Sequence, residues 1–189
     1  MVNTTFSLRT ALISLMGLMI GSTLSVASHA YEPFIAIGIN SHSIQTDFDN
    51  PEVDNQDIND EGYHVSVGIR NTYGKSERHL LGFAIDIDEI GSSTLIGYRA
   101  LDYTYHLNRR IRLGGFFGAA SIDTGLPQNG YYAGISMSVL KVLWEWDLTV
   151  ELRRGDGLAR DRRGSDPEGV RGDIFLDYNS PSVALTWRF

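Results

Sequence analysis

The side chains with the most chemical promise fall in two short runs. His64 and Ser66 are two residues apart in an alternating segment, and Asp86 and Asp88 repeat that spacing further along. Ser, His and Asp in one neighbourhood are the components of a nucleophilic triad. Antiparallel pairing through Gly74–Arg78 would set Asp88 opposite His64 and Asp86 opposite Ser66. The plainer explanation is a set of hydrogen-bonded interior residues, and no catalytic residue is assigned.

Two other clusters could bind ions. The stretch Thr46–Glu61 carries Asp47, Asp49, Glu52, Asp54, Asp57, Asp60 and Glu61 without a cation. From Asp57 it begins like a calcium-binding loop, but the twelfth position, which must supply a bidentate carboxylate, is Gly68. The expectation is a solvated acidic loop with no assigned metal. Gly155–Gly172 instead mixes Arg160, Arg162, Arg163 and Arg171 with Asp156, Asp161, Asp166 and Glu168. Its arginines either neutralise the loop's own carboxylates or pair with external phosphates.

The elements that must position these groups are strands. Gly62–Tyr73 alternates Tyr63, Val65, Val67 and Ile69 with His64, Ser66, Gly68 and Arg70. Glu145–Arg153 and Ser182–Phe189 repeat the pattern, and Phe34–Gln45, His79–Glu89, Leu95–Leu107, Ile111–Ile122 and Tyr131–Leu140 follow it less regularly. Period-2 alternation marks strands. There are eight, most near the ~9–11 residues that a tilted strand needs to cross a bilayer. Short connections (Gly74–Arg78, Asn108–Arg110, Lys141–Trp144) alternate with the longer Thr46–Glu61, Asp123–Gly130 and Gly155–Gly172. Ile90–Thr94 is short where a long connection would be anticipated.

Composition narrows the setting. The 189 residues include 20 Gly, 9 Tyr, 8 Phe and 3 Trp, too aromatic for a disordered chain. The formal charge of −7 argues against a nucleic-acid partner. With no Cys there is no disulfide, thiol nucleophile or Cys-bound zinc. Met1–Arg9, the apolar run Ala11–Ile20 and the small-residue stretch ending Ser28-His29-Ala30 have the form of a signal peptide. Cleavage is placed after Ala30, leaving residues 31–189 as one mature domain. No later stretch is apolar and long enough for a transmembrane helix.

Alternation alone cannot separate a soluble sheet, apolar inside, from a membrane barrel, apolar outside. Aromatic placement favours the barrel. Tyr63, Tyr73, Tyr103, Tyr105, Tyr131, Trp146, Trp187 and Phe189 lie on the apolar face near strand ends, as in an interfacial girdle. The terminus Ser182-Val-Ala184-Leu-Thr-Trp187-Arg-Phe189 resembles the C-terminal assembly signal of Gram-negative outer-membrane barrels, with Ala184 where that family prefers Gly. With the leader and eight strands, the whole mature chain resembles the small OmpA/OmpX-type barrels. The resemblance implies an all-β, eight-stranded antiparallel up-and-down transmembrane barrel of the cell outer membrane. It also implies that Trp187 and Phe189 are read by the barrel-assembly machinery, and that outer lipid and lipopolysaccharide are partners. Arg160, Arg162 and Arg163 are then candidate rim contacts to lipopolysaccharide. His64-Val65-Ser66 also resembles the His-x-Ser of outer-membrane lipid A deacylases, over three residues only, with Val67 in place of that family's Asn.

An eight-stranded barrel has an interior just wide enough for side chains to fill. The inward charges read from the pattern are Arg70, Asp86, Asp88, Asp102, His106, Arg112, Asp147, Glu151, Arg153 and Arg188. Enclosed charges must pair, and arginine suits bidentate pairing with carboxylates. The expected interior is a plug-like ion network rather than a charged pore lining, with His106 beside Arg112. The expected role is non-enzymatic, structural or surface-binding, without a cofactor. The alternatives are a narrow channel and a lipid A-modifying hydrolase. Deleting Phe189 should impair assembly more than it alters any folded contact, measured as loss of the protein from the outer-membrane fraction. Normal levels there would refute the assembly role.

Overall fold

A computed structural model describes residues 31–48, 56–91, 93–123, 127–159 and 174–189. The leader, residues 1–30, lies outside the described residues, as do connections 49–55, 124–126 and 160–173. The strands are β1 (Tyr31–Phe48), β2 (Gln56–Tyr73), β3 (His79–Ile90), β4 (Ser93–His106), β5 (Ile111–Asp123), β6 (Pro127–Leu143), β7 (Trp146–Ala159) and β8 (Ile174–Arg188). Each pairs antiparallel with its sequence neighbours, and β8 returns to β1 to close an eight-stranded barrel. The start of β1 at Tyr31, the end of β8 and the three turns after β2, β4 and β6 share one end, the turn end. The loop end is opposite.

Several connections are shorter than the sequence pattern implies. β1 runs on to Phe48 and β2 starts at Gln56, so much of Thr46–Glu61 is strand. Asp57 pairs with Gln45 and Glu61 with Ser41. Extended backbone cannot wrap a cation as a loop does, which removes the calcium-loop comparison. Most of Asp123–Gly130 and the first part of Gly155–Gly172 are likewise strand. After β6 only Trp144 and Glu145 remain as turn, because strand pairing resumes at Leu143–Trp146 beyond a bulge. Lys141 and Trp144 take up the irregularity with φ of 54° each, in the left-handed region.

The two faces sort as a membrane barrel requires. Arg153, Asp86 and Asp88 are fully enclosed, whereas Ile85, Ile96, Val150 and Leu152 are about half exposed on the outer wall. An apolar outer wall around a charged interior is stable only where the surroundings are lipid. Tyr63 and Tyr131 mark the loop-end margin of the apolar band. Tyr73, Tyr103, Trp187 and Phe189 mark the turn-end margin, where Tyr105 and Trp146 are partly covered by neighbours. The Trp146, Trp187 and Phe189 rings pack in sequence at centroid separations of 6.0 and 4.4 Å.

Two bulges reset the alternation. Between Arg99 and Leu101 the pairing of β4 slips against both β3 and β5, leaving Ala100 as an extra residue. Below it Asp102, Thr104 and His106 point inward; above it Leu95, Gly97 and Arg99 do. A second bulge lies in β7 between Gly155 and Leu158, where Gly157 supplies a φ of 57°. It turns Leu158 into the barrel.

The interior is not uniformly polar. Toward the loop end, Ile44, Ile90, Leu95, Ile122, Leu158 and Leu176 form a packed apolar cluster inside the wall, with Tyr132 and Tyr178 beneath. Apolar side chains here cap the charged section below.

A one-residue slip inverts every side chain beyond it. Deleting Ala100 should therefore force either Arg99 or Asp102 toward lipid and abolish folding into vesicles. The check is heat-modifiable mobility on unboiled gels. Normal folding would show that the bulge is dispensable.

Candidate functional site

The enclosed charges form connected layers along the axis. Nearest the turn end, Arg112 on β5 donates both terminal nitrogens to Glu32 on β1, at 2.6 and 2.8 Å, and its Nε to His106 Nε2 at 3.0 Å. Arg188 on β8 grips Asp147 on β7 at 2.6 and 3.1 Å and reaches Glu32 at 3.2 Å. Asp147 also accepts the Lys141 backbone N–H at 2.7 Å, which fixes the β6 bulge to the network.

Above lies Arg70 on β2, which donates two bonds to Asp102 Oδ2 and stacks 4.0 Å from the Phe34 ring centroid. Next comes Arg99. Its Nε bonds Asp86 at 2.7 Å, and its terminal nitrogens hold Glu151 bidentately at 2.8 and 2.7 Å. The guanidinium lies 4.0 Å over the Phe116 ring, and Tyr132 donates to the same Asp86 oxygen at 2.9 Å. Gly97 makes room for that tyrosine, since a Cβ there would come within 2.5 Å of the phenol oxygen.

The uppermost charged layer centres on Asp88. It accepts from Arg153 at 2.5 Å, from Asn40 at 2.7 Å and meets His64 Nδ1 at 2.9 Å. Arg153 also donates to Ser180 and stands 3.4 Å from Glu151, linking this layer to that of Arg99. Together the layers place five arginines against six carboxylates. The open space among them is a cavity of about 30 Å³, bordered by Ser66, Arg70, Arg99, Ser136, Glu151 and Thr186. It has room for a water or two but not for a column of them.

All ten interior residues read from the alternation are brought together here. His106 meets Arg112, and the register sets His64 against Asp88 and Ser66 against Asp86. The triad comparison stops at that register. His64 Nδ1 is held by Asp88, but Ser66 Oγ has no hydrogen-bond partner, so no imidazole is poised to take its proton. Among the described residues no group of His, Asp and Glu converges as a metal site. Arg160, Arg162 and Arg163 lie outside the described residues, as do Asp49, Glu52 and Asp54.

The alternation missed Arg99, Glu32, Asn40 and Tyr132. Arg99 was hidden by the Ala100 bulge, which makes an odd-numbered residue share a face with Asp102. Glu32 was recoverable: it keeps step with Phe34 and Ala36 once β1 is extended to Tyr31.

No protein-family model matches the chain, and no curated protein matches it. Among solved structures it is similar to the outer membrane protein AlkL, determined by solid-state NMR in DMPC lipid bilayers. The TM-score is 0.51 at 14% identity, over 89% of this chain and 94% of that one. It is also similar to Ail, the attachment invasion locus protein of Yersinia pestis, crystallised with the heparin analogue sucrose octasulfate. There the TM-score is 0.50 at 11% identity, over 85% and 99% of the two chains. Identities this low speak to architecture alone. The closed antiparallel wall, apolar outside and ion-paired inside, is the fold of the small eight-stranded outer-membrane β-barrels.

Proposed function

We propose that the protein is a closed, non-conducting outer-membrane barrel that serves as a non-enzymatic platform for its loop end. One observation carries the reading: the described interior is occupied by arginine–carboxylate pairs and then by the apolar cluster, with a cavity of only about 30 Å³ between the side chains. An ion crossing such an interior would have to break charge-assisted bonds and then pass a mostly apolar layer, where Thr46 and Gln128 are buried polar neighbours of Leu176 and Ile122. The lipid A hydrolase alternative loses support because Ser66 lacks a base and faces the interior, away from a lipid substrate.

In this reading the leader is removed after Ala30, and the turn end faces the periplasm. Connections 49–55, 124–126 and 160–173 meet the exterior, with Arg160, Arg162 and Arg163 available to lipopolysaccharide phosphates. Trp187 and Phe189 serve the assembly machinery. Planar-bilayer recording tests the closed interior. The expected result is an absence of stable single-channel steps, and reproducible steps from purified protein would overturn the proposal.

Neighbouring residues on opposite faces of β7 sharpen the test. Glu151→Ala strips Arg99 of its bidentate partner and leaves only Asp86 against it. The urea midpoint of the lipid-folded barrel should fall by the equivalent of about 3 kcal/mol, the cost of breaking a buried pair, without conductance appearing. Val150→Arg puts charge on the lipid face and should cost about 2–4 kcal/mol if it lies near the midplane. A neutral Glu151→Ala would mean that solvent hydrates the freed guanidinium, and the interior is then open to water.

A further inference from the structure

We infer that the three turns at the turn end form a collar that binds anionic phospholipid headgroups of the periplasmic leaflet. The inference rests on the orientation proposed above. The turn after β2 carries Lys75 and Arg78, that after β4 carries Arg109 and Arg110, and the end of β6 carries Lys141; all five are exposed. Only Glu77 and Glu145 oppose them locally, and Glu145 is engaged by Lys141 at 3.2 Å. Among the described residues, Lys75, Arg78, Arg109 and Arg110 make no ion pair.

These cations are fixed as a group rather than scattered on independent turns. The His106 N–H donates to Arg78 O at 2.8 Å, tying the first turn to the foot of β4. The Leu140 N–H donates to Arg110 O at 2.8 Å, tying the second turn to the end of β6, which carries Lys141. The second turn is itself rigid, because Asn108 Oδ1 accepts from the Arg110 and Ile111 backbone N–H groups at 2.7 and 2.9 Å. The result is a continuous cationic ledge from β2 to β7.

The same ledge is apolar at its tip. Val142, Leu143 and Trp144 are exposed, Trp144 by 92%, and Trp144 is held outward at a φ of 54°. Tyr73 and Leu107 flank the other two turns and are also exposed. Exposed tryptophan and leucine between cations suit the headgroup layer, where an amphipathic ring and a basic side chain are both stabilised. The tip also continues the aromatic margin of Trp146, Trp187 and Phe189 directly above it. An acidic cell-wall peptide would satisfy the cations but leave the apolar tip in water, so the lipid surface is the favoured occupant.

The loop end has the opposite character. Its described, exposed rim carries Asp57, Asp60, Glu61, Glu89 and Asp156 against Arg154. Among the described residues, exposed charge is thus polarised along the axis, positive at the turn end.

The test uses the full mature chain folded into phosphatidylcholine vesicles with and without a quarter phosphatidylglycerol. Lipid selectivity is read by electron spin resonance of spin-labelled lipids at the protein boundary. Phosphatidylglycerol should associate about threefold more strongly than phosphatidylcholine at low salt, falling toward equality in high salt. The combined variant Lys75→Gln, Arg78→Gln, Arg109→Gln, Arg110→Gln should lose that preference while keeping heat-modifiable mobility. Trp144→Ser in the otherwise unchanged chain, at a position with no interior contact, should weaken the preference in part. Equal association of both lipids with the unchanged protein would overturn the collar, as would a preference that survives the four substitutions. Retention of the detergent-solubilised protein on purified cell-wall sacculi, without lipid selectivity, would overturn it in favour of acidic peptide. Failure to insert into any vesicle would instead refute the barrel reading on which the collar depends.

Discussion

A guanidinium enclosed by a β-barrel must be neutralised where it stands, because it can neither reach water nor shed its proton. The rest of the structure depends on that constraint at Arg99. Its five donors face Asp86 on β3, Glu151 on β7 and the face of Phe116 on β5, so one side chain ties three parts of the wall together. Asp86 is shared with Tyr132 and Glu151 is near Arg153, and through them the upper and middle layers become one body. The outer wall contributes the complementary condition. Lipid gives no hydrogen bonds, so every strand must be paired on both edges and every polar side chain must turn inward.

Arg99 could not take this place without Ala100. A strict alternation would send Arg99 to lipid if Asp102 pointed in, and the extra residue lets both face the axis. The β7 bulge acts similarly nearer the loop end, where Gly157 in the left-handed region lets Leu158 join the apolar cap. Bulges of this kind re-aim side chains at the rims of barrels. Here they separate an ionic section from an apolar one within the same eight strands.

Much of this was legible in the sequence. Strict alternation in Gly62–Tyr73 marks the inward face of β2, and the short turn Gly74–Arg78 sets His64 opposite Asp88, as the strand register has it. The aromatic terminus pointed to a barrel of the outer membrane, and ten interior ionic residues followed from parity. The shortfalls have physical causes. A bulge residue such as Ala100 has no signature of its own, since alanine fits either face. The apolar cap was invisible because Ile44, Leu95 and Leu176 look the same whether they meet lipid or one another. The reach of β1 and β2 was concealed by their carboxylates, which suggest a solvated loop yet sit comfortably on strands that rise above the bilayer. The cation–aromatic contacts and the inter-turn bonds involve residues far apart in the chain, and local pattern carries no information about them.

The Glu32 contacts bear on how the molecule comes to exist. This carboxylate stands near the start of β1, while its partners are Arg112 on β5 and Arg188 at the end of β8. Asp88 similarly waits for Arg153. No hairpin of adjacent strands can form these pairs, so a growing sheet carries bare charges until its two edges meet. Hairpin pairs such as Arg99–Asp86 and Arg188–Asp147 can form earlier, but the Glu32 contacts arrive only when the seam between β1 and β8 closes. Chain-end separation makes that step entropically slow. Once made, it leaves few partly zipped states that are worth occupying, and the wall opens or closes as a whole.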